Sequence, residues 1–178
     1  LIGIDLMADV LASFKKELPD NDEFQKVIEG TPIIKKLIES GYTGRKGKGG
    51  FYRINKSNNK KILEALNLSK NEYFPTKKID LRINKIDLLE LINRNDKYGK
   101  YAWSVISKII LYASSLVPQI TEEYNDIDEA LRLGFNWSMG PFEMLETIGL
   151  DNFFSKIDNL NNVSFLENLK NKKLKKTF

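Results

Sequence analysis

The sequence predicts an all-α fold, and three observations carry that prediction. Apolar residues recur at three- and four-residue spacing along most of the chain. No segment alternates apolar and polar residues over a strand's length, and proline and glycine fall where helices would begin and end.

Taken in order, Ile4, Met7, Ala8, Leu11 and Phe14 form the first helical stripe, which Pro19-Asp20-Asn21 ends. A short helix fits Pro32 to Glu39, with Thr31 as N-cap, Pro32 at the first helical position and Gly41 as terminator. The turn from Gly44 to Gly50 follows and lands on Phe51-Tyr52. Asn55 to Asn59 reads as a polar loop, Lys60 to Leu68 as a short helix, Glu72 to Lys78 as irregular around Pro75, and Asn84 to Ile92 as a further helix.

The strongest helix runs from Tyr98 to Val117, with Ala102, Val105, Ile106, Ile109, Ala113, Leu116 and Val117 as its stripe, widened by Ile110 and Leu111, until Pro118 stops it. Asp126 is placed to cap a helix over Ile127 to Leu133 that Gly134 ends. Helices over Phe142 to Ile148 and Leu150 to Ile157 precede a basic helical tail.

An internal echo shapes the domain organisation. Leu1-Ile2-Gly3-Ile4-Asp5 recurs as Thr147-Ile148-Gly149-Leu150-Asp151, where it follows Gly140-Pro141-Phe142-Glu143, but the two copies are out of phase. The first lacks its beginning and the second its end, so the chain reads as a piece of a longer protein. The expected boundaries are 1–54 for the second half of a first helical domain, 55–97 for a linker region with short helices, 98–160 for the first half of a second domain, and 161–178 for a basic tail or linker.

Composition narrows the chemistry. The chain has 178 residues, 42% of them hydrophobic, enough for one sizeable core or two small ones. Its 28 basic and 24 acidic residues leave +4, and the lysines of Lys170 to Lys176 account for that excess, which argues against a nucleic-acid surface. Cysteine and histidine are both absent, which excludes disulfides, thiolate metal sites, Ser-His and Cys-His nucleophiles and histidine proton shuttles within these residues. No signal peptide is visible at Leu1, and the apolar stretch from Tyr101 to Ile120 is broken by serines, Lys108 and Pro118, so it reads as a buried helix and not a membrane span.

Four features invite a functional reading. The Gly44 to Gly50 turn resembles a phosphate cradle, but it lacks the spacing of a P-loop and follows a helix instead of a strand, so a tight turn with solvated lysines is preferred. Asp126-Ile127-Asp128-Glu129 could pair carboxylates for acid-base work or a metal, and is preferred as a helix cap. Gly134 to Glu143 packs three aromatics between glycines and a proline, and is read as a helix-turn-helix corner over a ligand-binding turn. The tail lysines are read as a solvated linker or frayed end, with a membrane or acidic polymer as the alternative.

Together these motifs resemble the C-terminal, all-α domain of 3-hydroxyacyl-CoA dehydrogenases, which is similar to the C-terminal domain of 6-phosphogluconate dehydrogenase. That family shows an Ile-Asp-x-Ala helix, a corner ending Gly-Pro-Phe-Glu, a hydrophobic-Gly-Leu-Asp helix start, and a Gly-x-Lys turn running into Gly-Phe-Tyr. Here the order is split: Leu1 to Tyr52 looks like the second half of one copy and Tyr98 to Ile157 like the first half of another. The resemblance covers about two thirds of the chain, and Gly134-Phe135-Asn136-Trp137 looks like the multidomain branch in which an enoyl-CoA hydratase-like region follows the dehydrogenase.

The resemblance implies a C-terminal fragment of an NAD-dependent (3S)-3-hydroxyacyl-CoA dehydrogenase of cytoplasmic fatty-acid β-oxidation. The family's catalytic histidine and glutamate and its NAD site lie in an N-terminal Rossmann domain. The implied partners are therefore acyl-CoA and that Rossmann domain, with a weak homodimer as a further possibility, and no catalytic, cofactor-binding or metal residue is assigned to this chain. Trp103 and Ser104 stand where the family's active copy has an Asn-Arg pair near substrate, which makes Trp103 a candidate packing residue. The expected contribution is cleft closure and domain or subunit packing; the alternative is a freestanding all-α protein-interaction or dimerisation module.

Overall fold

A computed structural model describes residues 3–29, 32–57, 60–77, 87–157 and 164–176. The chain divides into two compact units, Leu1–Asp80 and Leu81–Phe178.

In the first unit, α1 (Ile4–Glu17), α2 (Glu23–Glu29) and α3 (Pro32–Glu39) precede β1 (Tyr52–Ser57), β2 (Lys60–Asn67) and β3 (Glu72–Pro75). Ile4 of α1 and Ile34 and Leu37 of α3 are buried together, with Ala8, Leu11, Tyr42, Phe51 and Leu66 packed against them. Met7 and Phe14 of the expected α1 stripe stay largely exposed, and Phe14 meets Phe24 of α2 edge to face. The Gln25 amide ties α2 to the end of α1 by donating to the carbonyls of Leu18 and Lys15 at 3.1 and 3.2 Å. Thr31, the expected cap of α3, lies outside the described residues, and Gly41, at φ +81°, follows that helix.

The three strands form an antiparallel meander in the order β1-β2-β3, which corrects the all-α expectation. Asn55, expected in a loop, is in β1; the segment from Lys60, expected to be helical, is β2; and the irregular segment at Glu72 opens β3. Leu, Glu, Ala and Lys favour a helix over 60–68 locally, but pairing decides against it. Glu64 lies opposite Arg53 in the register, and its carboxylate accepts from Arg53 Nε at 2.7 Å and Asn55 Nδ2 at 3.0 Å. Leu66 donates its N–H to the Phe51 carbonyl at 2.8 Å and turns its side chain into the core. Asn67 and the left-handed Asn71 shape the β2–β3 turn, with Asn67 Oδ1 accepting from Ser69 and Lys70. Pro75 ends an edge strand, where a missing N–H costs little.

Among the described residues, the second unit comprises α4 (Leu88–Asn93), α5 (Lys97–Ser115), α6 (Tyr124–Phe135), α7 (Pro141–Ile148), α8 (Leu150–Lys156) and α9 (Ser164–Lys176). The helix expected from Asn84 begins at Leu88, where Asp87 accepts from Glu90 N at 2.7 Å; residues 84–86 lie outside the described set. Asp96 caps α5 through Tyr98 N and Gly99 N, both at 3.0 Å. The core joins Ile92, Ile110, Ala113, Val117, Phe142, Leu145, Ile148, Phe153 and Leu166. Phe153 and Leu166 are fully buried, and each such side chain contributes roughly 1.5–3 kcal/mol over an exposed one.

Two expectations shift within this unit. Of the stripe expected on α5, Ile110 and Ala113 are buried, as is Val117 just beyond the helix, and Ile106 and Leu111 pack against them, whereas Val105 is exposed and Ser107 and Ser114 are buried instead. Ser114 enters the core as a small residue because its hydroxyl is satisfied by the Ile110 carbonyl at 2.6 Å. The basic tail is not a solvated end from its start: Phe165 packs against Tyr124 and Phe142, and Lys170 pairs with Asp151 at 2.8 Å.

Candidate functional site

The corner singled out in the sequence is organised by Asp128. This residue lies on α6, is only 3% exposed, and its two carboxylate oxygens accept from Phe142 N at 2.8 Å and Glu143 N at 3.0 Å. Those N–H groups sit in the first turn of α7 and have no partner within their own helix. Pro141, with no N–H, occupies the first position, and Glu143 folds back to accept from Gly140 N at 2.8 Å while pairing with Arg132. A Cβ on residue 140 would overlap the backbone and side chain of Asp128, so glycine is required there by the approach of α6.

Asp128 is therefore a cap delivered across helices. Burial raises its carboxyl above the ordinary value, opposed by the two backbone hydrogen bonds. Asp126, the expected cap, lies inside the first turn of α6 and accepts from Thr121 Oγ1 at 2.9 Å. The helix begins earlier than expected, at Tyr124. It also ends later, on Asn136 in the left-handed conformation at φ 55°, which leaves Gly134 inside it. Among the described residues, no group of three or more histidine, cysteine, aspartate or glutamate side chains could hold a metal ion.

Trp103 is half-buried on the edge of the core. Its ring stands edge to face with Phe153 at 5.5 Å, and Lys156 Nζ lies 5.5 Å from its centre while donating to Asn93 Oδ1. Ile92, Asn93, Arg94, Lys100, Trp103 and Lys156 line an open cleft of about 240 Å³ at this point. Arg94 is neutralised by Asp96, and their bond lowers the aspartate and raises the guanidinium. The lining holds cations, amides and one aromatic wall, without a carboxylate, hydroxyl or thiol to serve as base or nucleophile. Ser104, next to Trp103, is exposed.

In the glycine turn three backbone donors are spent within the loop. Gly44 N donates to Gly49 O at 2.6 Å, Gly47 N to Gly44 O at 3.1 Å, and Lys48 N to Gly41 O at 3.0 Å. Lys48 Nζ donates to the Ser40 carbonyl at 3.1 Å, completing the end of α3. Positive φ at Gly44 and Gly49 makes this turn possible. A dinucleotide site needs a parallel strand, a glycine turn and a helix in that order, whereas here the turn leads from α3 into an antiparallel sheet. These residues do not fit NAD.

Motif reading missed the polar cluster beneath the sheet. Arg53 stacks on Tyr73 with its guanidinium carbon 4.0 Å from the ring centre and donates to Tyr42 Oη at 3.1 Å; Tyr42 stacks on Tyr73 at 5.2 Å. The Asn55 hydrogen bond, then Arg53, lower the Glu64 carboxyl. The available signal was Arg53 and Asn55 at a two-residue interval after Phe51-Tyr52.

Residues 101–178 match the family described as 3-hydroxyacyl-CoA dehydrogenase, C-terminal domain. A Rickettsia felis protein named as a fatty acid oxidation complex trifunctional enzyme is 41% identical over 159 residues, covering 89% of this chain and 22% of that protein. Its namesake in Rickettsia prowazekii is 40% identical over 88% of this chain and 21% of its own length. A Bacillus subtilis protein named as a 3-hydroxyacyl-CoA dehydrogenase is 30% identical over 90% of this chain and 21% of its own length. The chain thus spans about one fifth of the length of these curated relatives. No solved structure matches it.

Proposed function

We propose, from the premise that residues 101–178 belong to the 3-hydroxyacyl-CoA dehydrogenase C-terminal-domain family, that this chain is a C-terminal portion of a longer NAD-dependent (3S)-3-hydroxyacyl-CoA dehydrogenase. In this reading the whole enzyme acts in cytoplasmic fatty acid β-oxidation on acyl-CoA, and NAD and the catalytic groups belong to its Rossmann domain, outside these residues. Residues 1–54 and 98–160 are two incomplete tandem copies of one helical domain, and 55–97 and 161–178 are the stretches beside them.

The observation that carries this reading is similarity along 89% of the chain to a protein named for fatty acid oxidation. The echo supports the tandem part: Gly3 and Gly149 both stand at helix starts, followed by Ile4-Asp5 and Leu150-Asp151. The chain's own work is structural. Its second unit carries a continuous core and a cross-helix cap, which suits a scaffold that closes a substrate cleft, excludes water and packs against neighbouring domains or subunits.

The test is an assay of the polypeptide translated from the complete reading frame, with 3-hydroxybutyryl-CoA and NAD, followed by the absorbance of reduced nicotinamide. Turnover by that protein is expected. A folded longer protein that leaves NAD unreduced overturns the reading. The 178-residue chain alone is expected to bind NAD no tighter than about millimolar, roughly 4 kcal/mol at the standard state, measured by calorimetry.

A further inference from the structure

The sheet of the first unit is amphipathic in the unusual sense. Along β1, Arg53 and Asn55 point inward while Tyr52 and Ile54 point to solvent, at 62% and 61% exposure. Antiparallel sheets with one wet face normally show the opposite alternation. Residues opposite each other in the register share a face, so Tyr52, Ile54, Leu63, Ala65 and Phe74 lie together on the outward side. Leu63 and Phe74 are 51% and 41% exposed there.

A one-residue slip would turn this set inward, and the structure shows why no slip occurs. Four polar side chains of the inward set are engaged: Glu64 holds Arg53 and Asn55, and Tyr73 Oη donates to the Gly50 carbonyl at 2.6 Å. The register is thereby locked with the apolar side chains outside, an arrangement that costs stability in water unless something covers them.

The rim indicates what covers them. Lys56 and Lys61 face each other at one end of the outward side, and Lys70 lies 5.6 Å from the centre of the Phe74 ring at the other. Glu72 supplies the carboxylate that the register places on this side among the described residues. Two copies stacked face to face would oppose two net-positive rims, which disfavours a second copy.

We propose that this face is a docking surface for a protein surface with an apolar centre and a carboxylate rim, carried by the part of the longer polypeptide outside these residues. The proposal rests on the reading that the chain is part of a longer dehydrogenase, and its occupant follows from the lysine rim and from relatives about four times as long.

Lysine acetylation followed by mass spectrometry tests it, comparing the 178-residue chain with the complete protein. Lys56, Lys61 and Lys70 are expected to react freely in the chain and several-fold more slowly in the complete protein. The pair Ile54→Thr and Leu63→Thr, which removes the apolar surface without setting like charges opposite each other, is expected to restore their reactivity in the complete protein while leaving unfolding of the isolated chain unchanged. Equal reactivity in both proteins overturns the docking proposal. If the complete protein still reduces NAD in that case, the functional reading stands and docking alone fails. Sedimentation that shows the isolated chain dimerising, with the dimer lost in the paired variant, assigns the face to a second copy and also overturns the proposal.

Discussion

Asp128 caps a helix to which it does not belong: its carboxylate, carried by α6, accepts from Phe142 N of α7 at 2.8 Å. A second bond to Glu143 N makes the contact bidentate, and Gly140 leaves room for it. Replacing Asp128 with alanine leaves two first-turn donors unpaired, for which the expected loss is roughly 2 kcal/mol. Urea unfolding followed by circular dichroism checks this, and a variant as stable as the parent would show that α7 needs no such cap.

Gly134 and Gly140 respond to alanine in opposite directions. Gly134 sits inside α6 with no atom near a built Cβ, so Gly134→Ala is expected to stabilise by about 0.5–1 kcal/mol through helix propensity. Gly140→Ala forces α6 and α7 apart at Asp128 and is expected to destabilise. Melting temperatures that fall for both variants would contradict the placement of Gly134 within the helix.

Trp103 packs on Phe153 and carries Lys156 over its ring. Trp103→Ala is expected to cost on the order of 3 kcal/mol, and Trp103→Phe much less, since phenylalanine keeps the edge-to-face contact. If the alanine variant of the complete protein melted normally but lost turnover, Trp103 would serve substrate and not packing.

Two carboxyl groups set opposite pH trends. Glu64 is lowered from 4.5 by Asn55 and Arg53, so its contribution is present above the unfolded value and is lost as pH falls through the folded one. The stability gap between the parent and Glu64→Gln is expected to close on acidification. Asp128 is raised from 3.8 by burial, so its contribution is full below that value and is lost as pH rises through the folded one. Asp128→Asn is therefore expected to gain on the parent as pH rises, and denaturant titrations across the acid range would reveal parallel trends if either assignment were wrong.

The helices over 97–156 were legible because each carries its own punctuation. Pro141 opens α7, Gly149 separates it from α8, and the long apolar period of α5 leaves no competing reading. Strand β2 was not legible, because its residues favour a helix locally and its outward face is apolar, so the expected alternation never shows. The role of Asp128 was hidden for a related reason. Asp126 and Asp128 are equivalent as neighbours of a helix start, and what distinguishes them is a backbone fourteen residues away.

Local residue order settles where most helices start and stop, that neither cysteine nor histidine chemistry occurs here, and that the helices beginning at Ile4 and Leu150 share an Ile-Gly-apolar-Asp start. These are properties of single residues and of spacing along one turn. Tertiary structure decided that 60–67 pairs as a strand, that α5 buries Ser107 and Ser114 in preference to Val105, and that Asp128 faces Phe142. Each of those outcomes depends on hydrogen bonds or packing between segments distant in the chain, and those contacts outweigh local propensities of a few tenths of a kcal/mol per residue.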